Sequence, residues 1–404
     1  MKVGVCLGDL SNTSGGAYTF QEEVFNSLMK IAKDSHHSFV IFCYSQEPDK
    51  LKQKIEGTGI QVVTSPSPSY FRKALTRIVG EIIAFLLMRR RLSRLAPIAK
   101  KLGVDFIWFV SNQVACIDIP YITVVWDLQH RLQPWFPEVS ARGIWDIREK
   151  NYSWFLRRAT AIIVGTETGK NEIMDFYQIP PSRVKILPHP TPIHNLLTTE
   201  NKKDVLTKYN LPKDYIFYPA QFWPHKNHVN LLIGLKKLRD EYQLSIPAVF
   251  VGSDHGNKKF IRKFVDDLNL NKQIYFLGFV SQEELLDLYR EALALTYLTF
   301  FGPENLPPLE AFFLGCPVIA SDIAGAREQL GNCALLVDPK NPDDIASAIK
   351  LLHDNETIRK TLVRRGKDRS LKFTGPDYVK GVFKILDDFE SIRNCWGFGD
   401  QVIE

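Results

Sequence analysis

Four short stretches of this chain gather acidic, basic and amide side chains beside glycine or proline, each following an apolar run of strand length. The most specific is Thr299-Phe300-Phe301-Gly302-Pro303-Glu304-Asn305-Leu306-Pro307-Pro308-Leu309-Glu310-Ala311-Phe312. Pro307 and Pro308 suit a first helical turn, where missing N–H groups cost little. Glu310 in that turn can accept two hydrogen bonds from a ribose diol. Its plainer role is to complement the helix dipole, worth ~0.3–1 kcal/mol. A second stretch, Pro219-Ala220-Gln221-Phe222-Trp223-Pro224-His225-Lys226-Asn227-His228, sets Lys226 at a helix start. A lysine beside free backbone N–H groups makes a compact phosphate clamp, and Gln221, His225 and Asn227 add donors; the alternative is a solvated surface lysine. In Val125-Trp126-Asp127-Leu128-Gln129-His130 two titratable groups stand three apart. Asp127 and His130 either bind sugar hydroxyls and hold a reacting hydroxyl, or Asp127 caps the next turn and His130 sits half exposed. Ser14-Gly15-Gly16-Ala17 is either a plain tight turn or a loop whose N–H groups approach an anion. It is not a G-x-G-x-x-G, which disfavours a nicotinamide dinucleotide fold.

These stretches need elements to position them. Apolar runs predict strands at Lys2–Leu7, Ser38–Cys43, Gln61–Thr64, Phe106–Val110, Ile122–Trp126 and Ala161–Gly165. A second series follows at Tyr215–Ala220, Ala248–Gly252, Ile274–Gly278, Leu293–Leu298, Pro317–Ser321 and Ala334–Asp338. Continuous rather than alternating apolar runs indicate strands buried on both faces, as in parallel sheets. Helical patterns lie between them, for example Tyr18–Lys33 and Ala141–Arg158. The rhythm breaks around Pro188–Lys203, in a tract rich in Pro, Thr and Asn. The expectation is two doubly wound α/β domains, 1–193 and 200–377, with a last helix at about 378–404. Ligands in such sheets bind beyond the carboxyl ends of the strands, so two facing domains place the site in a cleft.

Composition agrees. The 404 residues are 45% apolar, 24% charged and 12% aromatic, the balance of a globular protein rather than a disordered, collagenous or coiled-coil one. The longest apolar tract, Ile78 to Met88, is too short to span a bilayer. The opening MKVGVCLGDLSN has no secretory pattern. A net charge of +6 is too dilute to argue for nucleic acid. Six scattered cysteines without C-x-x-C argue against zinc and for reduced thiols in a cytoplasmic protein. Residues 72–101 hold nine Lys/Arg against one Glu around an apolar centre. They read either as a membrane-surface helix or as an ordinary helix packed on its sheet.

The tract Gly302–Pro339 closely resembles the nucleotide-sugar half of family-four retaining glycosyltransferases. The resemblance extends through Gly15-Gly16, VVWDLQH, VGTET at Val164–Thr168, Lys226-Asn227 and Ile274–Ala292. It implies the GT-B architecture, two Rossmann-like domains facing a central cleft, with the last helix crossing back to the first domain. It implies that Lys226 neutralises a donor diphosphate, that Glu310 binds the ribose, and that backbone N–H groups of Asn305 and Leu306 meet phosphate and sugar. It places Phe279 and Val280 at the nucleobase and brings Gly15-Gly16 to the diphosphate from the other domain.

Two positions depart from the family pattern. The first glutamate of E-x(7)-E falls at Gly302, with Glu304 two residues on as a candidate substitute. An arginine usual before the phosphate lysine is Gln221. The activity implied is retaining transfer from a nucleotide diphosphate sugar, UDP-glucose first, to a saccharide or lipid-linked acceptor in polysaccharide assembly, by a cytoplasmic protein that sits at the inner face of the membrane if residues 72–101 form the membrane-surface helix. No D-x-D triplet occurs, which fits metal-independent chemistry: Lys226 and helix N-termini stabilise the leaving oxygen, and that oxygen takes the acceptor proton. Asp127, His130 and Glu304 join Lys226 as catalytic candidates. The alternatives are a GT-B nucleotide-sugar epimerase or phosphorylase, and a non-catalytic nucleotide-sugar-binding scaffold.

Overall fold

The computed structural model describes residues 1–8, 15–43, 54–55, 57–64, 95–112, 114, 117–197 and 204–396. Strands β1 Lys2–Leu7, β2 Ser38–Cys43, β3 Gln61–Thr64, β4 Phe106–Phe109, β5 Tyr121–Val124, β6 Ala161–Val164 and β7 Val184–Ile186 form one sheet. Its order is β3-β2-β1-β4-β5-β6-β7, parallel throughout. Strands β8 Ile216–Pro219, β9 Ala248–Val251, β10 Ile274–Gly278, β11 Ala294–Tyr297, β12 Val318–Ser321 and β13 Leu335–Val337 form the second. Its order is β10-β9-β8-β11-β12-β13, again parallel. In each sheet the strand order reverses beside the first strand, β1 or β8, and such switch points open crevices at the carboxyl ends. Strands β4, β5, β6, β9, β11 and β12 are buried along their whole length. That is why they read as unbroken apolar runs.

Three expectations need correcting or bounding. β7 was not expected, because Val184-Lys185-Ile186 is short and carries a lysine. Ala141–Arg158 is not one helix: a 3-10 turn at Ala141–Gly143 precedes a helix at Ile144–Phe155. Arg142 and Gly143 take left-handed φ of 56° and 73°, which ends the first turn. Of the basic stretch 72–101, the short helix Leu95–Lys101 belongs to the described residues and the remainder lies outside them. Among the described residues no helix is long and apolar enough to cross a membrane.

The helix Gly375–Arg393 leaves the second domain and packs on the first. A capping box at Thr374 and Asp377 starts it. Phe383 stacks on Phe39 at 5.5 Å, Phe389 meets Phe106 at 5.1 Å, and Arg393 pairs with Asp105 at 2.9 Å. Val3, Val5 and Leu7 share a core with this helix, whereas Cys6, Val40 and Phe42 face the opposite side of the sheet. The two chain crossings between domains are joined side by side. The Thr191 N–H donates to the Phe373 carbonyl at 2.9 Å and its hydroxyl to that of Ser370 at 2.7 Å.

Candidate active site

On the second-domain side, Lys226 ends a 3-10 turn, Pro224–Lys226, just beyond β8. Asn227 follows with φ 56°, a conformation asparagine tolerates. Its buried amide donates to the carbonyls of Leu298 (3.0 Å) and Pro339 (2.7 Å). Asn227 therefore fastens the loop that presents Lys226, and its amide nitrogen is already engaged. The Lys226 ammonium donates to the Tyr297 hydroxyl at 2.7 Å. With three donors on the ammonium, two directions remain for an anion. Glu310 accepts from the Tyr289 hydroxyl at 2.7 Å. Burial raises its pKa, a shift partly offset by the tyrosine.

Glu310 lies on the helix Leu306–Leu314. Its entry differs from the expectation at Asn305. The Asn305 N–H donates to Gln329 Oε1 (3.0 Å) and its carbonyl accepts from Gln329 Nε2 (2.9 Å). With Pro307 and Pro308 lacking N–H groups, the donor this turn can offer a ligand is that of Leu306. Phe279 projects 87% exposed from the end of β10, whereas Val280 is buried in the core. Phe279 is thus the side chain of the pair that a flat ring can stack on.

From the first domain, the glycine loop does reach this rim. Gly15 has φ +59°, and a Cβ built on it lies 3.5 Å from Gln221 Nε2; one on Gly16 lies 3.8 Å from Leu306 Cδ1. Asp127 accepts from the Gln129 N–H (3.0 Å) and pairs with Arg148 (2.6 Å). Burial works against its charge, but Arg148 and the hydrogen bonds outweigh that and its pKa is lowered. His130 is not half exposed. Its side chain is fully buried, with Nε2 3.3 Å from both the Tyr177 hydroxyl and Glu149, and burial lowers its pKa to about 4. It lies six residues beyond the end of β5, packed between Tyr152 and Trp145.

The two rims touch. Phe136 stacks on Phe300 at 5.7 Å, and Gln133 donates to the Phe300 carbonyl at 2.9 Å. Glu138 accepts from the His225 N–H at 2.9 Å and from its ring nitrogen. Glu328 accepts from the N–H groups of Glu167 (2.6 Å) and Thr168 (3.0 Å), closing the start of the helix Glu167–Tyr177. Glu304 crosses too: its side chain is 4% exposed and accepts from the His189 N–H at 2.8 Å. Burial pushes its pKa up to about 8. It therefore seals the domains together and does not line the rim beside Lys226 and Glu310.

Past the ends of β5 and β6 lies a small cleft. Trp126, Asp127, Thr166, Glu172 and Pro303 help to line it. Sequence reasoning missed Trp126, Glu138, Glu172 and Glu328. Trp126 had a signal, since it immediately precedes Asp127 at a strand end; the three glutamates look like ordinary helix-surface charges.

Residues 200–369 match the family described as glycosyl transferases group 1. The O-antigen chain mannosyltransferase RfbU of Salmonella typhimurium is 31% identical over 195 residues, 48% of this chain and 51% of that protein. O-antigen chain mannosyltransferase B of Escherichia coli is 29% identical over 171 residues, 42% of this chain and 45% of that protein. The chain thus spans about half the length of these curated relatives. The Anabaena protein Alr3699/HepE, solved in complex with UDP, superposes with a TM-score of 0.69 at 15% identity, covering 96% of this chain and 100% of that one. The two facing parallel-sheet domains are the GT-B fold.

Proposed function

We propose, from the match of residues 200–369 to the group 1 glycosyl transferases, that this chain transfers a hexose from a nucleotide diphosphate sugar to a saccharide or lipid-linked acceptor in polysaccharide assembly. The observation that carries this reading is the approach of Gly15 to Gln221 and of Gly16 to Leu306, which brings the first domain's glycine loop to the loop that carries Lys226 and to the start of the helix that carries Glu310. Breaking the bond from the anomeric carbon to the diphosphate builds negative charge on the leaving oxygen. Lys226 and the Leu306 N–H stabilise that charge, and one such donor is commonly worth roughly 3–4 kcal/mol. Glu310 holds the ribose and Phe279 the base. The leaving oxygen takes the acceptor proton on the same face, so configuration is retained without a protein nucleophile or a metal. Asp127, held by Arg148, orients hydroxyls at the sugar end, and domain closure excludes water.

The relatives' names favour mannose, hence a GDP-linked donor, over the UDP-glucose suggested by the family at large. Thermal unfolding with UDP, GDP and their glucose and mannose conjugates tests the reading. A ligand at about 100 times its Kd adds ~2.7 kcal/mol, several degrees in midpoint. A shift with one base settles the donor class. No shift at millimolar nucleotide removes the ribose and phosphate assignments together. Binding without transfer to any acceptor makes the protein a scaffold, and turnover without an acceptor makes it an epimerase or phosphorylase.

A further inference from the structure

At the amino end of the first sheet, opposite the end that faces the second domain, imidazoles and carboxylates gather where β2 begins. Neighbours along a strand point to opposite faces, but His36 and His37 sit in a bend between the 3-10 turn Ala32–Asp34 and β2. The His37 N–H donates to the Ser35 hydroxyl at 3.1 Å, and the two rings come to lie 4.1 Å apart, tilted by 47°. Across from them, Asp387 and Glu390 stand three apart on one face of the crossing helix Gly375–Arg393. Asp387 Oδ1 is 3.0 Å from His37 Nε2 and 3.8 Å from His36 Nε2, while Glu390 Oε2 is 2.7 Å from His36 Nε2. Ligand atoms of His36, His37 and Asp387 all fall within 4.8 Å of one another. A tetrahedral zinc with bonds of about 2.0–2.1 Å spaces its ligands by roughly 3.3 Å, inside this range. Behind His37, its Nδ1 faces the Met1 amino group at 3.1 Å and Glu390 Oε1 at 3.7 Å. A carboxylate at the far nitrogen is the common support of a metal-bound imidazole. Glu390 also holds the Met1 ammonium at 2.8 Å, and neither carboxylate pairs with a lysine or arginine among the described residues. His37 is enclosed, whereas the side chains of His36 (61% exposed) and Asp387 (50%) leave an entry from solvent.

We propose that His36, His37 and Asp387 form a binding site for a divalent cation of the zinc class, with solvent in the fourth position and Glu390 as the outer carboxylate. Two imidazoles and a carboxylate suit Zn²⁺, Co²⁺ or Ni²⁺, whereas Mg²⁺ and Ca²⁺ take shells made mostly of oxygen. Ligation exchanges the hydrogen bonds of the two rings for bonds to the metal, and the ring protons displaced leave to solvent. The scattered cysteines argue against a thiolate zinc site, but this one uses no sulfur. Its halves lie 350 residues apart in the chain, so no short spacing announces it. The ion pins the crossing helix to the first domain and takes no part in transfer, and the inference does not rest on the glycosyl-transfer reading.

The experiment uses the untagged full chain, stripped with a chelator and dialysed. Calorimetric titration with zinc chloride should show one ion per chain. Zinc at about 100 times its Kd should raise the unfolding midpoint by several degrees, and magnesium chloride should do neither. His36→Gln and Asp387→Asn change solvent-facing side chains and keep their size. Each should weaken zinc binding at least tenfold while leaving the metal-free midpoint within roughly 2 °C of the parent. Cobalt(II) should give the weak visible bands of a nitrogen–oxygen shell. A strong near-ultraviolet thiolate band places the metal on a cysteine and overturns the proposal. Zinc affinity unchanged in both variants overturns it too, as does magnesium binding equal to that of zinc. A chain that takes up no zinc also overturns it, leaving these four side chains as an ion-paired clasp.

Discussion

The Glu304 carboxylate occupies the space that any side chain at Gly165 would need. A Cβ built on Gly165 lies 1.2 Å from Glu304 Oε2, although the two residues belong to different domains. A side chain at position 165 would displace the Glu304 carboxylate from its seat between the domains and from the His189 N–H. Gly165→Ala should fold, since Gly165 shows no left-handed φ, but should hold the domains apart. Transfer should fall at least tenfold with nucleotide affinity nearly unchanged, and small-angle scattering should show a larger radius of gyration. An alanine variant as compact as the parent would contradict this.

The same carboxyl makes closure sensitive to pH. Its folded pKa of about 8 lies above the ordinary 4.5. A carboxyl raised in this way binds its proton more tightly when buried, so its contribution is complete below about 4.5 and is lost as pH rises through about 8. His189, neutral because burial lowers its pKa to about 4, supplies no positive charge to reverse the sign. The closed form should loosen progressively from about pH 4.5, with the loss complete near pH 8. Glu304→Gln should abolish that step in a scattering titration while remaining compact at both ends.

Asn227 predicts a coupled loss of stability and activity. Asn227→Ala orphans the Leu298 carbonyl, whereas the Pro339 carbonyl keeps the Asn230 amide at 2.9 Å. An unsatisfied buried carbonyl costs about 1–3 kcal/mol, and each kcal/mol lowers the midpoint by roughly 2–4 °C in a domain of this size. Calorimetry should show that drop, and nucleotide affinity should weaken as Lys226 loses its support. An unchanged midpoint would show that the loop is held by other contacts.

His130 separates packing from chemistry. Its full burial means that His130→Ala should cost roughly 2–4 kcal/mol, as large-to-small core substitutions do, with kcat within about threefold at a temperature where the variant is folded. A hundredfold loss of kcat at an unchanged midpoint would restore a catalytic role.

Lys226 gives the most direct test of the diphosphate assignment. Lys226→Ala should lower kcat at least tenfold and weaken binding of the nucleoside diphosphate. Tyr297→Phe removes the hydroxyl that accepts from the ammonium at 2.7 Å, and should change diphosphate affinity without altering which base is preferred. Near-normal turnover in Lys226→Ala would remove the lysine from the reaction.

Strand positions were legible because burial on both faces writes an unbroken apolar run, as in Ala161–Val164 or Ala248–Val251. The loops after those strands were legible for the same reason, which is how Lys226, Glu310 and Gly15-Gly16 came to be expected near one cleft. Side-chain direction was not legible. His130 and Trp126 both follow β5, yet the imidazole turns into the core and the indole lines the cleft. Nor were contacts between domains: nothing local in Glu304, Glu138 or Glu328 distinguishes a carboxylate that bridges two domains from one facing water. Asn227 fell between these cases, its position beside Lys226 read correctly while its hydrogen bonds ran backward into the protein.

The crossing helix Gly375–Arg393 has a consequence for synthesis. The face of the first sheet that carries Val3, Val5 and Leu7 shares its core with this helix, which the ribosome makes after the whole of the second domain. The N-terminal half thus emerges early with an uncovered apolar face, and the second domain can fold around its own sheet first. Completion of the older half then waits on the younger one. A nascent chain stalled before Gly375 should engage chaperones through its first domain, and supplying Gly375–Arg393 as a separate peptide should release them.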